Sequence, residues 1–76
     1  MSIDEISADI IKETRQKFKN RKAIFVVDYI GKDKKIHHIH GTVVSLDDFS
    51  VVIQYSLSSR TITIPLISIV NVAHMM

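Results

Sequence analysis

Cysteine is absent from this sequence, so neither a disulfide nor a thiolate-held metal can stiffen whatever fold it takes. Tryptophan is missing as well, and there are only two glycines and one proline. Two glycines are too few for a loop that cradles phosphates with its backbone, and no nucleophile-elbow pattern accompanies the Ser, His and Asp residues. Enzyme activity is therefore not expected. No run approaches the roughly 18 to 20 apolar residues that span a bilayer, and "MSIDEISADI" lacks the basic-then-apolar order of a secretory signal. A cytoplasmic protein without membrane association is the expectation. The net charge is only +2, too small to mark a nucleic-acid binder by itself.

What is present is aliphatic. The 76 residues allow one domain, and 46% of them are hydrophobic. A chain of this length buries only about 60% of the surface its unfolded form exposes. So many Ile and Val residues cannot all be hidden inside one thin core, which makes a homo-oligomer the expected state.

The N-terminal segment has helical period. Ser2 and Glu5 form a capping-box pattern, and Ile3, Ile6, Ile10, Ile11, Thr14 and Phe18 recur at three- and four-residue spacings. This predicts an amphipathic helix from residue 3 to about residue 20. Its acids come early and most of its bases late, as the helix dipole favours. Extended that far, the helix would also bring Lys12, Arg15, Lys19 and Lys22 into one basic sector.

From residue 23 onward β-branched and aromatic runs alternate with polar turns. "AIFVVDYI", "IHHIHGTVVSL", "VVIQYS", "RTITI" and "ISIVNV" read as five strands, the second bent or bulged at Gly41. Short connections favour a meander closing into a small barrel. Ile62 and Ile64 face one way along the fourth strand, Thr61 and Thr63 the other. The last strand is apolar on both faces, with Ile67 and Ile69 opposite Val70, and needs cover from a neighbouring subunit or from the helix. Pro65 marks the turn between these two strands.

In "GTVVSLDDFSVVI", Gly41, Val43, Leu46, Asp47 and Phe49 occupy, in order, the positions of the first Sm signature. Helix, strand order and signature together resemble the Sm-like superfamily over nearly the whole chain. The resemblance implies a mainly β fold, a small SH3-type barrel of one N-terminal helix and five bent antiparallel strands. It would form a single domain over 1–76, with its barrel over about 23–73.

Within that superfamily "FKNRKAIFVVDYIG" with the signature is similar to the Hfq family of RNA chaperones. That likeness implies a non-catalytic protein that binds single-stranded RNA through an oligomeric ring. Phosphate contacts would come from Arg15, Lys19, Arg21, Lys22 and Arg60, and a stacking face from Phe49. Gly41 and Asp47 would build the turn, and Ile62, Ile64, Ile67, Ile69 and Val70 the subunit interface, since Sm-like rings join the fourth strand of one copy to the fifth of the next. The long "KDKKIHHIH" connection, and Ile64 and Pro65 in place of the Hfq Lys-His pair, depart from that family, and "KKIHHIHGTVVSLD" followed later by "IPLISIV" resembles instead the ending of the YolD-like family. That alternative implies an adaptor that docks on a protein partner without RNA.

The histidines raise a metal reading. On a strand His38 and His40 share a face while His37 lies opposite, so at most two of the three converge. Zinc sites use three or four ligands, so a solvated or RNA-facing strand tip is expected, with no metal and no cofactor.

Overall fold

The structure is a computed structural model that describes residues 3–19 and 22–75, with side chains from residue 8 to residue 74. Helix α1 runs Ile3–Gln16, and strands β1 (Ile24–Ile30), β2 (Ile36–Leu46), β3 (Ser50–Tyr55), β4 (Thr61–Pro65) and β5 (Ile69–Met75) follow. A single 3-10 turn, Leu66–Ser68, joins β4 to β5. The Ser2 capping position lies outside the described residues.

The helix ends earlier than its periodicity suggests. Lys17, Phe18 and Lys19 donate to the carbonyls of Thr14, Arg15 and Gln16, each three residues back, so the last turn tightens. That turn drives Phe18 inward, where its ring meets Phe25 edge-on at 5.1 Å. Burying Phe18 and Phe25 removes two of the largest apolar side chains from water, worth roughly 1.5–3 kcal/mol each.

The strands form one antiparallel sheet in the order β4-β3-β2-β1-β5. β2 is long because it serves two partners: residues 36–41 pair with β1, and residues 41–46 pair with β3. Gly41 stands at the crossover, opposite both Phe25 and Tyr55. A register shift between Val43 and Ser45 adds to the bend. A second shift, at Asp28/Tyr29, interrupts the pairing of β1 with β5.

The expected barrel does not close. β4 and β5 are the two edges of the sheet, with no ladder between them. The reason lies in the connection: Pro65 is extended (φ −61°, ψ 132°), and the 3-10 turn after it carries the chain over the core to the far side of β1. The small-barrel fold class is thus corrected to an open, bent five-stranded sheet capped by one helix.

The core lies on the concave side. Phe25, Val27, Ile39, Val43, Val51, Ile53, Ile64 and Leu66 close it, and α1 packs through the Thr14 face onto the 3-10 turn. The helix is too short to cross a membrane, and no helix among the described residues is long and apolar enough to do so.

Candidate functional site

Two features of the surface stand out physically: the bare edges of the sheet and a histidine face on its outer side. The β4 edge can be resolved atom by atom. Tyr55 donates its N–H to the Arg60 carbonyl, and Leu66 donates to the Phe49 carbonyl. In an antiparallel ladder bonded residues alternate with unbonded ones, so Ile62 and Ile64 also turn their backbone groups toward β3. Thr61 and Thr63 therefore point N–H and C=O outward, and Pro65 offers a carbonyl without a donor. On the opposite edge Val70, 55% exposed, sits at the register shift of β5, and Ile67, 51% exposed, lies in the 3-10 turn that precedes the strand.

Edges of this kind are ordinarily blunted with charge. Here residues 61–75 contain no Asp, Glu, Lys or Arg, so the edges are guarded by Pro65 on β4 and the register shift on β5 rather than by those charges.

On the outer face, Asp28 of β1 lies directly across from His38 of β2. The Asp28 carboxylate accepts from His38 Nδ1, and His38 Nε2 faces His40 Nε2 at 3.0 Å. The two imidazoles meet edge-on, their centroids 5.0 Å apart. They line an open cleft with Tyr55, Leu57, Arg60 and Ile62. His37 points the other way, stacks on Tyr29 at 5.3 Å and bonds Asp33. His37 and the Lys35 N–H hold the Asp33 carboxyl below the ordinary carboxylate range. Burial, with help from the Tyr55 and Asp33 charges, pushes the Tyr29 phenol up.

The acidic turn after β2 is built around Asp47. Its Oδ1 accepts the N–H groups of Phe49 (2.8 Å) and Ser50 (2.7 Å), and its Oδ2 accepts the Ser50 hydroxyl at 2.9 Å. These bonds, the Phe49 N–H foremost, hold the Asp47 carboxyl well below its usual range. Phe49 itself projects outward, 72% exposed.

The residues expected to bind RNA do not come together. Phe49 and Arg60 lie at opposite ends of β3, whose six residues span about 20 Å. Arg15 pairs with Asp48 at 3.7 Å, which offsets its charge beside Phe49. Lys19 and Lys22 follow the end of α1 and so leave the helical sector of Lys12 and Arg15, while Arg21 lies outside the described residues. The ring pairs among the described residues join Phe18 to Phe25, Phe25 to His74, Tyr29 to His37 and His38 to His40, and none includes Phe49. With no closed barrel, and with no ring partner for Phe49 and no clustered bases among the described residues, the Hfq-like RNA-binding reading is overturned.

Of the residues expected at a subunit interface, Ile67 and Val70 are exposed, Ile62 and Ile69 are half-buried, and Ile64 is consumed by the protomer's own core at 1% exposure. Sequence reasoning missed the Asp28 partner of His38, because a cross-strand pair depends on register and carries no local signal. Compared with protein-family models, curated proteins and solved structures, the chain matches none of them.

Proposed function

We propose that this protein is a non-catalytic assembly module whose copies join edge to edge, β4 of one against β5 of another. The observation that carries this reading is the pair of open, uncharged sheet edges. Outward N–H and C=O groups at Thr61 and Thr63 supply a ladder that a second strand can complete, and main-chain hydrogen bonds of this kind are the basis of strand addition. Leu57 in the turn before β4, Ile67 in the turn between β4 and β5, and Val70 on β5 are exposed, so apolar burial can accompany the pairing. Head-to-tail joining uses both edges. An isologous β4–β4 or β5–β5 dimer would leave one bare edge on each copy, the hazard that pairing removes.

Thr63→Pro tests the reading. The Thr63 N–H faces away from β3, so proline removes no bond within the protomer but deletes a donor from the edge and obstructs a neighbouring strand. Light scattering after size-exclusion chromatography is expected to show a multimer for the native chain and an 8.7 kDa species for the variant, with unchanged circular dichroism. A native chain that is monomeric at hundreds of micromolar, or a variant that assembles equally well, would overturn it.

A further inference from the structure

We infer that the first half of β2, residues 36–40, is a docking edge for an extended acidic segment of a partner protein, which adds to the sheet as a strand in line with β3. The site is separate from the β4 and β5 edges.

The direction of the main-chain groups locates it. Gly31 donates its N–H to the Lys35 carbonyl across the β1–β2 hairpin, and Ser56 donates its N–H to the His40 carbonyl from the end of β3. In an antiparallel ladder these directions alternate along the strand, so Lys35, His37 and Ile39 turn toward β1 while Ile36, His38 and His40 turn away. β3 accompanies β2 only as far as His40, because the chain then leaves in a turn that Ser58 closes on the Tyr55 carbonyl. The N–H and C=O groups of Ile36 and His38 therefore have no strand beside them among the described residues. This is a third open edge, about 16 Å long, and main-chain groups of this kind are what strand addition uses.

Side chains define the occupant. Ile36, His38 and His40 lie exposed on the outer face, while Ile39, Tyr55 and Ile62 line the cleft that adjoins the edge. A strand laid along β2 alternates in the same way, one set of side chains over the outer face and the other toward Ile39, Tyr55 and Ile62. The cleft thus selects apolar residues at every second position.

Charge selects the residues between them. Arg60 borders the cleft beside His38 and His40, and Lys32, Lys34 and Lys35 stand in the hairpin before β2. None of these cations has an ion-pair partner among the described residues. The acids close by are engaged within the chain, Asp28 with His38 and Asp33 with His37 and the Lys35 N–H. Uncompensated positive charge flanks the edge, so acidic side chains complement it. Residues directly opposite in a ladder share a face, so the acidic residues are the ones opposite Ile36 and His38, whose main-chain groups bond β2.

The test is fluorescence anisotropy of a labelled peptide of alternating valine and glutamate, titrated with the native chain and with Thr63→Pro, in which the β4 edge is blocked. Saturable binding to both is expected. N-methylation of the glutamate amides removes the donors that face β2 and should weaken binding by about 10-fold or more, whereas N-methylation of the valine amides should leave it nearly unchanged. Arg60→Glu should weaken binding by about 10-fold, and Lys12→Glu, the same change of net charge on the exposed side of α1, should not. Bound peptide should protect the Ile36 and His38 amides from hydrogen exchange. No saturable binding, equal binding of a valine–lysine peptide, equal effects of the two methylation patterns, loss of binding in Thr63→Pro, or protection at Thr61 and Thr63 in place of Ile36 and His38 would overturn the assignment.

Discussion

Gly41→Ala places a methyl group where the bent sheet has no room for one. A Cβ at that position would lie 2.2 Å from the Gln54 carbonyl oxygen and 2.6 Å from Ile53 Cγ2. The first of these atoms is backbone in the paired strand β3, so it cannot rotate away; β2 and β3 must separate locally by about 1 Å, at the cost of core packing. Overpacking of this kind costs about 1–3 kcal/mol, and the fixed obstacle puts Gly41 near the upper end. Alanine also narrows the unfolded ensemble, which returns about 0.4–1 kcal/mol. The net expectation is a loss of about 2 kcal/mol. At roughly 0.05–0.15 kcal/mol per residue the whole domain has about 4–11 kcal/mol, so the loss is a large fraction of its stability.

Urea unfolding followed by far-ultraviolet circular dichroism reads this directly. With a slope of about 1 kcal/mol per molar, the midpoint should fall by about 2 M. Measurement at several protein concentrations separates the effect from self-association. Gly31→Ala is the internal control: its added methyl meets the half-buried His37 ring at 2.8 Å and the exposed Asp33 Oδ1 at 3.0 Å, both side-chain ends rather than backbone. It should cost less than about 1 kcal/mol. A Gly41→Ala midpoint within about 0.5 M of the native chain would refute the account of how β2 bends.

Other consequences follow from burial and hydrogen bonding. Phe18→Ala empties a fully buried site and should cost about 3–5 kcal/mol, whereas Phe49→Ala, at a 72% exposed position, should stay within about 0.5 kcal/mol; thermal melts of the two variants check the contrast. Asp47 has its carboxyl held below the unfolded value near 3.8, so its contribution is complete above that value and is lost as pH falls through the lowered one. The urea midpoint of the native chain should therefore drop across that acid window, and Asp47→Asn should flatten the drop.

How much of this was legible in the sequence differs from element to element. The period-two pattern of "RTITI" already separated Ile62 and Ile64 from Thr61 and Thr63, because alternation is a local property of a strand with one buried face. The extent of α1 was not legible: Phe18 stands four residues after Thr14 and keeps the helical rhythm, yet its partner Phe25 is on β1 and pulls it out of the helix. Closure was not legible either. Whether β4 meets β5 depends on the path through Leu66–Ser68, and a strand that will pair within the chain reads the same as one left at an edge. In the candidate site, the shared face of His38 and His40 could be read from their spacing. The carboxylate behind His38 could not, since it arrives from ten residues away through the β1–β2 register.

Amide hydrogen exchange at Thr61 and Thr63 tests edge pairing most directly, because those two N–H groups have no partner strand within one copy while Ile62 and Ile64 are turned toward β3. The account predicts that Thr61 and Thr63 become protected as protein concentration rises, with Ile62 and Ile64 protected throughout. Exchange of Thr61 and Thr63 at unprotected rates at every concentration would contradict it.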